Sequence, residues 1–338
     1  MKAGIIGWPG SGRDAIFVAL TGLARPPFGS TEPRQGEALV PDERLDRLSA
    51  VFQPQKHTLA RVEFFLPHPP GLPQEALKAS LEKVRDTDVL LLVLRNFPLA
   101  GAPAPDPAGD LAKIESELIL SDYLVVEKRL ERLAEERKRG KKNDPEELEL
   151  LGRAQAELEA NRPLRLDRSL ARPPKLRGFA FLSAKPLLAV INNGDDDGRP
   201  VELPSGPQVV VRGRLEEDLA ALSPDEAAEF LADYGLAEVA ADRVIREVYG
   251  LMGLISFFTV GEDECRAWTI RSGETALEAA GAIHSDIQKG FIRAEVVAYD
   301  DFALAGGLSE AKKKGSFRLE GKTYLVADGD IVHFRFNI

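Results

Sequence analysis

The stretch Gly7-Trp8-Pro9-Gly10-Ser11-Gly12-Arg13-Asp14 constrains the fold more than any other part of the chain. Ala3 to Ile6 before it is a short apolar run that reads as a buried strand. Asp14 to Leu23 after it carries Ala15, Ile16, Ala19, Leu20 and Leu23 at helical spacing. A glycine-rich turn between strand and helix is the form in which a backbone surrounds a phosphate with N–H groups. The complete motif is G-x-x-x-x-G-K-[ST], whose lysine reaches the β and γ oxygens and whose hydroxyl holds magnesium. Gly7 and Gly12 stand at the motif spacing, but Arg13 and Asp14 occupy the lysine and hydroxyl positions. Without further support, an ordinary tight strand-to-helix turn explains the same residues equally well.

Both substitutions change the chemistry. Arginine keeps the charge, but its planar fork cannot curl over phosphates as a compact ammonium does. A carboxylate about 4 Å from a phosphate charge repels it by about 4 kcal/mol at an effective dielectric of 20, a factor of about a thousand in binding. Asp14 also lies in the first turn of the helix, where it is placed to take up free N–H groups itself and so plug the anion site.

The rest of the chain reads as alternating strands and helices. Pro26 to Gly36 is a Pro- and Gly-rich loop, Arg61 to Leu66 alternates as a strand, and Val89 to Leu94 is a continuous apolar run of the kind buried in a parallel sheet. Leu187 to Asn192 and Gln208 to Arg212 add two more strands, which implies an α/β fold with a mixed or parallel sheet. From Leu111 to Arg172 the composition shifts to Glu, Lys, Arg and Leu, and the pattern predicts an inserted helical hairpin. Leu118, Val125, Leu130 and Leu133 stripe its first arm, Gly140 to Pro145 makes the turn, and Leu148, Leu151 and Leu158 stripe the second. The mixed charges of Glu131 to Lys142 read as a solvated face.

Ser223 to Glu226 starts a helix with a hydroxyl cap, and Ala240 to Tyr249 continues helical. Beyond Leu254 the pattern is that of a small α+β domain. Ser256 to Val260 and Cys265 to Ile270 form a hairpin, Thr275 to Lys289 one amphipathic helix, and Arg293 to Ala298, Thr323 to Val326 and Ile331 to Phe336 strands. The expected division is therefore 1–110 with 174–253, an insertion over 111–173, and a domain over 254–338.

With 338 residues and a formal net charge of -10, the molecule as a whole is unsuited to non-specific nucleic-acid binding. A single cysteine, Cys265, excludes an intrachain disulfide and a thiolate zinc site, which fits a reducing cytoplasm. No apolar run approaches the roughly 20 residues of a membrane span.

Longer stretches of sequence give the loop a context. Gly7 to Phe17 with Ala19-Leu20-Thr21, Thr31-Glu32-Pro33, Pro41 to Leu48 and Pro54-Gln55-Lys56 form one set. Arg266 to Ile270, Gly281 to Asp286, Lys289 to Ala294 and Asp328-Gly329-Asp330 form another. Taken together the chain resembles, almost end to end, the YchF/Obg-like ATPase family, translation-associated P-loop NTPases of the TRAFAC class. The resemblance implies a P-loop NTPase sheet with an inserted coiled-coil hairpin and a C-terminal β-grasp domain of TGS type, a module associated with RNA or ribosome contact. It makes Gly7, Pro9, Gly10, Ser11, Gly12, Arg13, Asp14 and Ala15 a phosphate loop by descent. It also assigns base reading to Asn192 and Asp195, in place of the family's N-x-x-E, and a weak magnesium ligand to Ser30 near switch I.

The departures fall where such a family does chemistry. Its phosphate loop resembles G-L-P-N-V-G-K-S, and its D-x-A-G with a glycine-rich switch II belongs after Glu63-Phe64-Phe65. The chain instead has Leu66-Pro67-His68-Pro69-Pro70-Gly71-Leu72, with neither the aspartate nor the glycine-rich stretch. His68 could act as a general base, but between prolines it reads as an exposed loop residue. The expectation is a degenerate, pseudo-GTPase-like member that binds ribosome, RNA or a translation-related protein, with nucleotide binding weak or absent. Lys289, Arg293, Lys312, Lys313 and Lys314 are its candidate contacts. The alternative is a slow but active ATPase or GTPase using ATP or GTP with magnesium.

Overall fold

The computed structural model describes residues 1–337 except 26, 28, 29, 172, 198, 200 and 237, so Pro26, Phe28 and Gly29 of the predicted loop lie outside it. The chain divides into two compact units, one of Met1–Glu37 with Glu63–Val244, the other of Ala38–Val62 with everything from Ile245 onward.

Strand β1 (Lys2–Ile6) feeds the glycine turn and helix α1 (Arg13–Thr21), as the apolar spacing predicts. The predicted loop stops short of its expected end, because β2 (Arg34–Leu39) already includes Gly36. Helix α2 (Glu43–Phe52) is capped by Asp42, whose carboxylate accepts from Arg44 N at 3.0 Å, and β3 (Lys56–Thr58) follows. Then come β4 (Arg61–Leu66), α3 (Pro73–Lys83) and β5 (Val89–Asn96). The first sheet has the order β2-β4-β1-β5-β6-β7, closed by β6 (Leu187–Asn193) and β7 (Gln208–Val211). Both neighbours of β1 run parallel to it, pairing Ala3 with Phe64 and Gly4 with Leu90. β5 to β6 and β6 to β7 are parallel too. Val89 to Leu94 are buried, the continuous apolar run that a sheet covered on both faces demands.

Helix α4 (Pro107–Lys138) begins before the predicted insertion and serves two layers. Its Leu111, Ile114 and Leu118 pack with Leu77, Leu81, Leu90 and Leu92 over the sheet. Further along, Val126 and Leu133 meet Leu151, Ala154 and Leu158 of α5 (Pro145–Glu159), which returns antiparallel after a turn at Gly140 (φ 81°). Arg129 grips Glu147 with two hydrogen bonds of 2.8 and 3.0 Å across the hairpin. Short α6 (Arg168–Ala171) leads back towards β6. Between the two packing regions of α4 sits Asp122, fully buried, which accepts from Leu182 N at 2.9 Å and Ser183 N at 2.7 Å. Helices α7 (Gly213–Leu219) and α8 (Pro224–Asp233) complete this part, the hydroxyl cap foreseen at Ser223 being one half of a capping box with Glu226, and α9 (Ala240–Leu251) spans the division after Val244. Among the described residues no helix is long and apolar enough to cross a membrane.

The second sheet has the order β11-β10-β12-β8-β9-β3. β8 (Leu254–Thr259) and β9 (Glu264–Arg271) form the predicted hairpin. The expected single helix over 275–289 is two, α10 (Ala276–Ile283) and α11 (Ser285–Lys289), because His284 is extended at φ -162° and caps the second through Asp286 N. β10 (Phe291–Ala298) follows, then α12 (Tyr299–Ala305) and α13 (Leu308–Lys313). The strand expected at Thr323 to Val326 is not formed; β11 (Arg318–Glu320) takes its place, and Leu325 makes only an isolated bridge to Thr275. β12 (Asp330–Phe336) runs antiparallel to β10 and parallel to β8. Ala276, Ala279 and Ala280 of α10 bury against Phe257, Val296, Val332 and Phe334.

Residues 38–62, read from sequence as part of the first domain, group instead with this second unit. β3 pairs parallel to β9, Lys56 opposite Glu264, and Arg44 joins Asp42 at 2.8 Å to Asp328 at 2.7 Å. Asp328 in turn accepts from Ser256 N at 2.9 Å.

Asp122→Ala leaves two buried N–H groups without acceptors, so urea unfolding should show a loss of about 2–4 kcal/mol. Asp122→Asn keeps one acceptor and should lose less; equal losses would mean that the carboxylate fills space and no more.

Candidate functional site

The loop has a cradle's geometry. Between β1 and α1 the backbone passes through Gly7 (φ 150°), Gly10 (φ 83°) and Gly12 (φ 88°), conformations that side-chain-bearing residues rarely adopt. A Cβ on Gly7 would stand 2.5 Å from the Val93 carbonyl oxygen, and one on Gly12 2.1 Å from Asn192 Nδ2. Ser11 N donates to Trp8 O at 3.1 Å and Ile16 N to Gly12 O at 3.1 Å. Ser11 is 2% exposed, yet its Oγ has no partner among the described residues, and the buried Trp8 Nε1 has none either. Pro9 and Gly10 are exposed, whereas Ala15 is turned into the core.

Asp14 does not plug this cradle. It takes no hydrogen bond from a loop or helix N–H, and Gly12, at the N-cap, offers no side chain. Its Oδ1 lies 3.0 Å from His68 Nε2. Neither atom has another partner among the described residues, and the contact holds the carboxylate against the imidazole. His68 was expected to be an exposed loop residue; its side chain is in fact 14% exposed. The correction has a physical reason: β4 lies beside β1, so the chain leaving β4 passes the start of α1, a neighbourhood that no local pattern encodes.

Three arginines share the field of Asp14. Burial pushes its carboxyl up, but His68, Arg13 and Arg34 outweigh this and hold it below its ordinary value. Burial lowers the Arg13 guanidinium, opposed by Asp14. Arg34 lies over the Phe17 ring at 4.3 Å and donates to Leu23 O, while its buried Nη1 is without a partner among the described residues. Arg25 also feels Asp14 but is held by Glu217.

Asn192 lies at the carboxyl end of β6, and both polar atoms of its side chain are engaged by backbone. Nδ2 donates to Ser11 O at 3.0 Å and Oδ1 accepts from Gly213 N at 2.8 Å, so this residue ties the phosphate loop to the start of α7. Its neighbour Asn193, passed over in the sequence, accepts from Asn96 Nδ2 at 2.8 Å and donates to the carbonyls of Asp197 and Arg199 at 2.8 and 3.0 Å. Asp195 stands on the turn beyond β6, its carboxylate 4.0 Å from Arg214 Nε. Leu99 packs near Gly10, and Phe97 lies near Gly12 and Gly194. Ser30 N donates to Pro27 O at 3.1 Å.

The candidate partner contacts lie apart on their elements. Lys289 ends α11 beside Asp286 at 3.6 Å, and Arg293 stands on β10 opposite Arg335. Lys312 and Lys313 end α13, with Lys313 3.8 Å from Glu310, and Lys314 donates to Leu304 O at 3.3 Å.

A sheet in which β4, β1, β5, β6 and β7 run parallel, with a glycine cradle after its central first strand and a helix starting from that cradle, defines a P-loop NTPase fold. Residues 254–337 match the family model YchF-GTPase_C, described as "Protein of unknown function (DUF933)". The "Ribosome-binding ATPase YchF" of Bacillus subtilis (strain 168) is 36% identical over 371 residues, covering 100% of both chains. That of Escherichia coli O157:H7 is 36% identical over 362 residues, covering 100% of this chain and 99% of the relative. Among solved structures, that of the Schizosaccharomyces pombe YchF GTPase superposes with a TM-score of 0.86 at 27% identity, covering 99% of this chain and 97% of the other. The chain belongs to the YchF family.

Two outcomes test this geometry. Asn192→Ala should accelerate hydrogen exchange at the Gly213 amide, whose only described acceptor it removes, at about 1–3 kcal/mol for the orphaned group. Unchanged exchange would dismiss the clamp. The second concerns pH. The Asp14 carboxyl lies low in the folded protein, so its contribution to stability is present above the unfolded value of about 3.9 and is lost as pH falls through the folded value. In His68→Gln that acid-side loss should shrink and the Asp14 carboxyl resonance should titrate at higher pH; an unmoved midpoint would take His68 out of the account.

Proposed function

We propose that this chain is a cytoplasmic, ribosome- or RNA-associated binding protein in which nucleotide binding is weak and hydrolysis is slow or lost. The observation that carries the reading is the Asp14 carboxylate, held beside His68 at the position where the motif's hydroxyl would hold magnesium. Phosphoryl transfer depends on positioning and on neutralising charge. Here the lysine is Arg13, and the segment after β4, Leu66-Pro67-His68-Pro69, brings no aspartate. The relatives named as ribosome-binding ATPases support the ribosome as partner. On this reading residues from Leu254 form a TGS-like β-grasp domain, α4 and α5 the family's coiled-coil insertion, and Lys289, Arg293, Lys312, Lys313 and Lys314 the partner contacts.

The glycine cradle favours a second reading. With Gly7, Gly10 and Gly12 in phosphate-loop conformations and Ser11 Oγ unpartnered, the loop still suits an anion, and a slow ATPase or GTPase is the alternative function.

Phosphate release with ATP or GTP and magnesium separates the two. We expect none above the uncatalysed background, and calorimetry should show no affinity tighter than about micromolar. Submicromolar binding with turnover would establish the enzyme instead. Arg13→Lys with Asp14→Ser should tighten nucleotide binding by up to about a thousandfold, the worth of one carboxylate–phosphate repulsion. No gain would place the defect in the segment after β4.

A further inference from the structure

We propose that helix α8 is a docking face for a protein segment rich in lysine and arginine. This face has no part in the phosphate loop, so it is available whether or not nucleotide binds.

Between Arg214 and Arg243 the chain carries nine carboxylates and no lysine or arginine, so nothing in the stretch neutralises the phosphates of a nucleic acid. Several of the nine are engaged within the chain. Glu216 accepts from Ala240 N and Ala241 N at 3.0 and 3.1 Å, Glu226 closes the capping box with Ser223, and Glu217 holds the Arg25 guanidinium through two hydrogen bonds. Asp225, Glu229 and Asp233 of α8 have no ion pair among the described residues. At steps of four residues they form one line along the helix, and like charges at that spacing work against helix formation.

Burial does little to offset this. Among the described side chains of α8, Ala227, Phe230 and Leu231 are half-buried and the rest are exposed, whereas helices in proteins draw most of their stability from a packed apolar face. The line beside the carboxylates is aromatic. Phe230 and Tyr234 stack with ring centroids 4.4 Å apart and planes at 16°, and Tyr234 is 53% exposed. A guanidinium or ammonium group placed there meets a carboxylate and an aromatic face together, the two surroundings that attract it most. The Arg25–Glu217 pair shows the same stretch already holding an arginine. Charge selects the occupant: RNA brings phosphates that the carboxylates repel, and a second copy meeting this face with its own would bring the same carboxylates. A basic protein segment relieves the repulsion along α8 and covers the exposed ring.

Hydrogen exchange and calorimetry on the full chain, with a synthetic peptide that alternates arginine and alanine, test this. The peptide should slow exchange at the α8 amides, and its affinity should fall as salt is raised. Asp225→Asn with Glu229→Gln and Asp233→Asn should weaken binding by about tenfold, the worth of three exposed ion pairs. Glu131→Gln with Glu149→Gln and Glu159→Gln removes the same charge from exposed positions of the helical hairpin and should weaken it by less than about twofold, since separated surface charges are screened. Tyr234→Ala should weaken binding by about threefold and Tyr234→Phe should restore it, because the ring and not the hydroxyl is used. The proposal is overturned if the two triple variants weaken binding alike, or if the peptide leaves exchange in α8 unchanged. It is overturned equally if single-stranded RNA protects α8, or if a higher concentration of the chain alone does so.

Discussion

The β1–β5–β6 ladder is the constraint on which the site depends. Buried residues of β5 pair with β1 on one side and with β6 on the other, all in parallel, so the carboxyl ends of three strands lie side by side. The phosphate loop, Phe97 with Leu99, and Asn192 with Asn193 each leave one of those ends. In open parallel sheets, crevices at such ends are where ligands collect. Asn192 then turns adjacency into rigidity: one amide side chain joins Ser11 and Gly213, and glycine is required at both contacts because a Cβ would strike it, at 2.1 Å on the Gly12 side and 2.7 Å on the Gly213 side.

The electrostatics of the loop run against its ancestry. Where a lysine and a hydroxyl would divide the work between phosphate and metal, this chain sets a carboxylate in the field of Arg13 and Arg34, with His68 Nε2 3.0 Å from its Oδ1. The arrangement keeps the cradle's shape while changing the charge it presents. Shape and charge are therefore separable properties of the loop: the first is fixed by glycine conformations and by Asn192, the second by Arg13, Asp14, Arg34 and His68.

Much of this was legible in the sequence, and what was hidden has a common cause. The strand–glycine–helix opening, the buried β5 and β6 runs and the helical hairpin could be read because each is a local pattern of period, spacing or composition, whereas Asn192 was reached only through the family resemblance. His68 could not, since two prolines gave it the local signature of an exposed loop and only the placement of β4 beside β1 brings it to Asp14. Arg34 was hidden for the same reason, inside a stretch read as loop. The break at His284 escaped because the apolar period runs on across it, while the residue itself is extended and caps the next helix. The membership of 38–62 in the second unit was invisible because β3 is three residues long and pairs with a strand more than two hundred positions away.

That membership has a consequence for how the chain can be cut and inherited. The segment that bears α2 and β3 is spliced between β2 and β4, so the polypeptide leaves its first unit, adds a strand to the second, and returns before His68 is reached. The two units are interleaved and not strung in series. Removing everything after Leu254 would strip β3 of β9, its one sheet neighbour among the described residues. A C-terminal unit of this kind cannot be exchanged as a single cassette; any recombination that replaces it must also match twenty-five residues from the opposite end of the gene, Ala38–Val62.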